Sequence, residues 1–264
     1  MCGDRISHDA WSCCFERHST PLYINIPISK EAASSLTKFP CRAAVFNDTC
    51  WISILIDDLD SLEFYCLGHF FPTWMKGWMC KVNLLVECPV SCLGTEETVH
   101  GYQILSIYFE EGLGGSLKKF GAKRTQKIPS ENFKFKSSFG SGGTSFPVDD
   151  GMSFSICAGI RSKDILSCRG TVQSPTADLK FVEFVADRPY KFLVQNGGER
   201  LVFSPEPGEA SPTIEAKDIA IDDLQVEGLL NTIPQLRNQF DAKDAVCFLK
   251  QYYKIIDHEN TVIS

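Results

Sequence analysis

Short apolar runs separated by turn residues dominate the chain from residue 22 onward. Such runs, alternating or continuously apolar and ended by Gly, Pro, Asn or Asp, are typical of β-strands. We expect about eleven strands, over Leu22–Ile28, Arg42–Phe46, Cys50–Ile56, Ser61–Leu67, Met79–Val86, Gly101–Phe109, Met152–Ala158, Asp164–Cys168, Leu179–Val185, Tyr190–Gln195 and Arg200–Phe203. Regular spacing of so many short strands predicts a mainly β (α+β) fold, an antiparallel barrel or double sheet.

Helical spacing of apolar residues occurs near both ends of the chain. Residues Lys30–Lys38 predict a short helix. Two longer helices, Val226–Phe240 and Asp241–Ile256, are predicted at the C-terminus, the second from the spacing of Ala245, Val246, Leu249, Tyr253 and Ile256. The predicted organisation is an irregular arm over residues 1–20, a β-barrel ligand-binding domain over 21–225 and C-terminal helices over 226–264.

Composition narrows the classes of function. The 264 residues carry a formal net charge of −7, which argues against a nucleic-acid partner because phosphates need a basic surface. No run of about 18 apolar residues is present, so no membrane span is expected. The polar N-terminus lacks the apolar core of a signal peptide, which predicts an intracellular, cytoplasmic protein. A barrel of this size can enclose a small organic ligand, and a homo-oligomer or a larger assembly is an open possibility.

The twelve cysteines fit reduced, buried thiols in an intracellular protein. Cys88 and Cys92 could together ligate a metal, but no second Cys or His pair stands at zinc-site spacing. A disulfide is possible and the sequence does not assign it. We therefore expect no metal site and no cofactor.

The segment Gly101–Ile128 is the one place where two adjacent charged side chains follow a strand that is expected to be buried. After the strand come three glycines and two adjacent lysines, Lys118 and Lys119. If Lys118 faces an apolar cavity, burial and the neighbouring ammonium both lower its pKa, and a neutral amine can form a Schiff base with a ketone. The alternative is a solvated basic edge formed by Lys118, Lys119, Lys123, Arg124 and Lys127.

This segment resembles the central part of the acetoacetate decarboxylase-like superfamily. In its decarboxylases a strand leads to a G-x-P-K-K-type turn whose first lysine forms the Schiff base, and Gly115–Lys119 (GSLKK) stands at the matching positions, with Leu117 in place of proline. Residues 181–190 (FVEFVADRPY) are similar to a segment of the uncharacterised YqjF-like branch, and the resemblance covers residues 40–228. It implies the superfamily's barrel fold, Lys118 as nucleophile and Lys119 as the group that lowers its pKa. The decarboxylases place an acidic residue near their lysine. The matching segment of this chain, Trp78–Asn83, has no acidic residue.

Other residues complete the predicted site. Arg42 or Arg124 would hold a substrate carboxylate, since a guanidinium grips it bidentately. His69 and Tyr102 are candidates for the pocket lining, and Asp57, Asp58 and Asp60 predict an acidic hairpin tip. The function this implies is a decarboxylase-like lyase acting on a keto acid or a related hydrophobic substrate. The alternatives are a non-catalytic barrel that binds a hydrophobic small molecule, and a subunit of a larger assembly.

Overall fold

The computed structural model describes most of the chain, in segments separated by gaps. The described residues are 13–19, 21–38, 41–59, 61–66, 69–73, 77–92, 95–109, 126–127, 136–139, 149–160, 163–175, 178–188, 190–194, 200–205, 214–237 and 240–262.

Among these residues, 17 strands are joined by hydrogen bonds into one sheet. In chain order they are β1 (Cys13–Ser19), β2 (Leu22–Ile28), β3 (Arg42–Ala43), β4 (Val45–Phe46), β5 (Thr49–Leu59), β6 (Ser61–Cys66), β7 (His69–Thr73), β8 (Gly77–Cys92), β9 (Thr95–Phe109), β10 (Gln126–Lys127), β11 (Lys136–Phe139), β12 (Ser153–Ile160), β13 (Lys163–Pro175), β14 (Tyr190–Val194), β15 (Arg200–Pro205), β16 (Ile214–Gln225) and β17 (Val246–Val262). The predicted mainly β fold is confirmed.

The α-helices among the described residues are short. They are α1 (Lys30–Leu36), α2 (Leu179–Ala186) and α3 (Glu227–Leu230). Ser29 caps α1, because its hydroxyl accepts a hydrogen bond from the Ala32 amide at 3.1 Å. None of the helices in the described segments is long and apolar enough to cross a membrane.

Within this sheet the strands form two groups that share β17. The central strands follow one another as β17–β2–β5–β8–β9, each antiparallel to its neighbours. β9 pairs in parallel with β14, β14 pairs with β15, and β15 pairs with the second half of β17. A second group, β11–β12–β13–β16, joins β17 through β16. β17 therefore holds both groups together.

The C-terminal helices predicted over 226–264 are largely wrong. Only α3 and short 3₁₀ turns at Pro234–Leu236 and Ala242–Asp244 are helical, and residues 246–262 form β17. Residues 247–250 of this strand are all buried, so both of its faces carry packed side chains. A strand buried on both faces loses the alternation that marks a strand, and its apolar residues then match a helical spacing by coincidence.

Two further expectations are corrected. Residues 179–185 were expected to be a strand but lie in α2, which begins where the Asp178 carboxylate accepts a hydrogen bond from the Phe181 amide at 3.0 Å. The arm over residues 1–20 was expected to be irregular, but Cys13–Ser19 forms β1, which pairs with β6 and β17.

The central strands are buried on both faces. On one face, which we call the α2 face, helix α2 packs against a cluster that includes Tyr23, Leu55, Leu85, Tyr102 and Phe248. On the opposite face a larger cluster joins β2, β5 and β8 to β12, β13 and β16. The α2 face matters for function because it also carries buried polar groups.

Candidate functional site

Three polar side chains form a row across the α2 face. Asn25 on β2 lies directly opposite Ser53 on β5, and Ser53 lies directly opposite Asn83 on β8. Opposite residues of antiparallel strands share a face, with Cβ atoms about 5 Å apart. Asn25 and Ser53 are 0% exposed and Asn83 is 2% exposed. We call these three residues the polar row.

The polar row is only partly satisfied by hydrogen bonds. The Asn25 side-chain amide donates to the Val246 carbonyl at 2.9 Å, which fixes Asn25 Oδ1 as an acceptor pointing away from that strand. Asn25 Oδ1, Ser53 Oγ and Asn83 Oδ1 are buried and have no hydrogen-bond partner among the described residues. Each such atom left unpaired costs about 1–3 kcal/mol, and buried polar groups are normally satisfied, so these three atoms need a hydrogen-bonding partner from beyond the described residues.

Apolar side chains surround the row on the same face. Tyr23 lies two residues from Asn25, Leu55 two residues from Ser53, and Leu85 two residues from Asn83. Ile104 of β9 lies directly opposite Asn83 and is buried. Polar groups in such a setting interact more strongly than in water because the local dielectric constant is low.

A buried N–H donor lies beside the middle residue of the row, Ser53. Trp51 is two residues from Ser53 on β5 and its ring is 4.7 Å from that of Phe181 in α2. The Trp51 indole nitrogen is buried and has no acceptor among the described residues. The α2 face thus offers one N–H donor beside the acceptors of the polar row.

A carboxylate and an ammonium lie on the same face beyond the row. Asp57 follows Ser53 by four residues on β5 and is 0% exposed, whereas Lys81 of β8 is partly buried and lies directly opposite Leu55. The sequence predicted Asp57 in an acidic hairpin tip, and this is wrong because β5 continues to Leu59. These two residues are candidates for proton transfer and for polarising a carbonyl.

Tyr102 joins the α2 face to the end of α2. Its hydroxyl donates a short hydrogen bond to the Val185 carbonyl, and its side chain is buried. Burial raises the pKa of Tyr102 well above its usual value of 10.0, and the neighbouring Tyr23 adds to the effect. Tyr102 is therefore a neutral donor that holds the helix.

Arg188 anchors the same end of α2 to the sheet. It is 4% exposed, and its guanidinium donates to the carbonyls of Phe184 at 2.5 Å, Val86 at 2.9 Å and Gly101 at 3.3 Å. Its carbon Cζ lies 4.4 Å from the ring centroid of Phe184. Burial lowers the pKa of Arg188 to about 10, so the guanidinium stays charged at neutral pH.

The structure describes three of the six sequence-predicted site residues, Arg42, His69 and Tyr102. Arg42 lies on β3 with a side chain 72% exposed, where its guanidinium contacts Glu87 at 2.9 Å. His69 is on β7, opposite Cys66 of β6. Tyr102 is in the interior, whereas Lys118, Lys119 and Arg124 lie outside the described residues. Their roles stay predictions.

Sequence reasoning missed the polar row. Asn25 stands in LYINIPI, Ser53 in WISILID and Asn83 in KVNLLV, each a lone polar residue within an apolar strand. A polar residue in a strand that is apolar on both sides was the available signal, since such a position is buried whichever face it takes. Strand pairing, which aligns the three, could not be read from one sequence.

The cysteines form one disulfide among the described residues. Cys41 and Cys88 are joined, with Cα atoms 4.2 Å apart, so Cys88 is not available to the metal pair considered with Cys92. Cys50 and Cys80 are buried free thiols, as expected. In the described part of the chain no group of three or more His, Cys, Asp or Glu side chains could hold a metal ion.

Comparison with known proteins gives matches at the level of structure. No protein family profile and no curated protein sequence match the chain. The enduracididine biosynthesis enzyme MppR in complex with pyruvate matches with a TM-score of 0.55 at 10% identity, over 96% of this chain and 88% of that one. Acetoacetate decarboxylase from Legionella pneumophila matches with a TM-score of 0.54 at 10% identity, over 95% of this chain and 87% of that one. An acetoacetate decarboxylase-like enzyme from Sphingomonas wittichii RW1 matches with a TM-score of 0.51 at 8% identity, over 97% and 92%.

These matches assign the fold. The chain has the fold of the acetoacetate decarboxylase-like superfamily, as its sequence resemblance predicted. The closer resemblance to the YqjF-like branch is not confirmed by these structures and stays a prediction.

Proposed function

We propose that this protein is a small-molecule enzyme of the acetoacetate decarboxylase-like type, acting on a keto acid bound at the α2 face. The observation that carries the proposal is the polar row, buried in apolar surroundings within this fold. Solved structures of this fold include one in complex with pyruvate, a keto acid. A fold alone does not define a reaction, so the chemistry is argued from the chain's own residues.

The proposed reaction uses Lys118 as a Schiff-base nucleophile. The Lys118 amine attacks the keto carbonyl, water leaves and one proton is taken up from solvent, which forms a protonated imine. With a 3-keto acid, the bond to the carboxylate then breaks, carbon dioxide leaves, and the electron pair moves to the imine nitrogen. Protonation of the resulting enamine and hydrolysis release the ketone and regenerate the amine. Lys119 keeps the Lys118 amine neutral through like-charge repulsion.

Borohydride trapping tests this assignment. The protein is incubated with pyruvate or acetoacetate, reduced with sodium borohydride, digested and analysed by mass spectrometry. The expected result is a reduced adduct on Lys118, absent from Lys118→Met and retained in Lys119→Arg, which keeps the positive charge. In Lys119→Met, half-maximal trapping should move to higher pH.

Two results would redirect the proposal. An adduct on Lys81 or Lys250 instead of Lys118 would retain the Schiff base and reassign the nucleophile. Saturable binding of the keto acid with no adduct at any lysine would favour the non-catalytic ligand-binding alternative. The absence of an acidic residue from Trp78–Asn83 of β8 is the observation that supports this alternative.

A further inference from the structure

We propose that the polar row is a specificity subsite for a hydroxyl group on the substrate, an inference that rests on the proposed keto-acid function and deepens it. The occupant is then a hydroxylated keto acid. The inference depends on which hydrogen-bonding groups the row presents and on the cost of leaving them unpaired.

The row is rich in acceptors. Asn25 Oδ1 is fixed as an acceptor, because turning the amide over would give up the hydrogen bond from Asn25 to the Val246 carbonyl and bring two oxygens together. Asn83 Oδ1 is a second unpartnered side-chain carbonyl in the described segments. Ser53, between them, has a hydroxyl that can donate or accept. A bound group must therefore donate at least one hydrogen bond.

A hydroxyl satisfies the row better than a carboxylate or a ketone. It donates one hydrogen bond to an amide oxygen of the row and accepts another from Ser53 Oγ or from the Trp51 indole N–H. A carboxylate oxygen would face Asn25 Oδ1 and Asn83 Oδ1 without a proton to share, which disfavours that end of the substrate. The row therefore fixes the orientation as well as the identity of the substrate.

The geometry sets the size of the subsite. Neighbouring strands are about 4.8 Å apart, so the row spans about 10 Å across β2, β5 and β8. One hydroxyl can bridge two neighbours in the row, and Ser53 at the centre is shared by both bridges. Ser53 is accordingly the residue whose hydroxyl matters most for discrimination.

The test compares two keto acids of equal length, 2-oxopentanoate and 4-hydroxy-2-oxopentanoate, by isothermal titration calorimetry. The wild-type protein should bind the hydroxylated compound about tenfold more tightly, as expected for one or two buried hydrogen bonds. In Ser53→Ala this preference should fall to less than about threefold. The change removes one oxygen and does not touch the hydrogen bond of Asn25 to β17.

Ser106→Ala is the matched control. The Ser106 hydroxyl is also buried and without a partner among the described residues, but Ser106 lies opposite Val82, on the other face of the same sheet. Its removal should leave the tenfold preference intact. Thermal unfolding adds a second measurement, since Ser53→Ala should not lower the melting temperature if the hydroxyl has no structural partner.

The outcomes separate this inference from the proposed function. Equal affinity for both compounds, which is also the result for a row occupied by water alone, overturns the subsite and leaves the keto-acid assignment standing. A lowered melting temperature in Ser53→Ala, or a preference that this variant keeps, overturns it as well. A Ser53-dependent preference without any borohydride adduct supports the subsite and overturns the Schiff base. Failure of both compounds to bind overturns both proposals.

Discussion

The ammonium of Lys250 on β17 pairs with the carboxylate of Asp187, the residue that follows α2. The Lys250 side chain is 1% exposed and that of Asp187 is 50% exposed, so the pair runs from the interior to the surface. It ties the end of α2 to the strand that joins both groups of strands. The helix is thereby held on the face that carries the polar row.

Removing the carboxylate of this ion pair should lower the free energy of unfolding. In Asp187→Ala the buried ammonium loses its carboxylate, and we expect the free energy of unfolding to fall by about 2–3 kcal/mol, less than for a fully buried pair because Asp187 is half exposed. Lys250→Met removes the buried charge itself and should cost less. Urea denaturation measures both. Lys243→Ala, which breaks the exposed pair between Asp241 and Lys243 and leaves the hydrogen bond from the Lys243 backbone amide to Asp241 in place, is the control and should have no measurable effect. Equal effects of Asp187→Ala and Lys243→Ala would contradict the prediction.

Arg188 should stabilise the protein because its guanidinium donates hydrogen bonds to three backbone carbonyls. Arg188→Met keeps the apolar volume but removes the donors to Phe184, Val86 and Gly101, and we expect a loss of about 3 kcal/mol on urea denaturation. Arg237→Met is the control, because the Arg237 guanidinium contacts one carbonyl, that of Asn231, at 3.3 Å on the surface. If Arg188→Met were as stable as this control, the anchoring role would be wrong.

The strands of this fold could be predicted because apolar runs and turn residues mark them locally. β2 has the predicted bounds, whereas β5 and β8 contain the predicted strands and extend beyond them at both ends. α2 was missed because residues 181–185 are nearly as apolar as a buried strand. The cap that starts the helix, Asp178, is a single residue among several polar ones.

The candidate site was less predictable than the fold. Lys118 and Lys119 stand out because two adjacent charges follow glycines, a feature that one sequence shows directly. Asn25, Ser53 and Asn83 stand far apart in the chain, and only the registers of β2 with β5 and of β5 with β8 bring them into one row. A register depends on packing between strands, which no local pattern encodes.

Gly170 should be required for the contact between β13 and β16. A Cβ atom at this position would lie 2.7 Å from the Ala220 carbonyl oxygen and 2.8 Å from Ile219 Cγ2. Gly170→Ala should therefore push the strands apart and lower the free energy of unfolding by about 2 kcal/mol or more. Gln173→Ala, at an exposed position of the same strand, should change it little. A Gly170→Ala variant as stable as Gln173→Ala would show that the two strands can separate without cost.

Alkaline pH should destabilise the protein through its buried thiols. Burial raises the pKa of Cys80 from 9.0 to about 12, and burial with nearby Asp223 raises that of Cys168 to about 12. The folded state therefore holds these protons to higher pH than the unfolded state, so the stabilisation is complete below pH 9 and is lost as the pH rises towards 12. Urea midpoints measured at several pH values from 8 upward should fall across this range, and the fall should be shallower in Cys80→Ala. A slope that Cys80→Ala leaves unchanged would mean that this thiol does not contribute to the alkaline loss of stability.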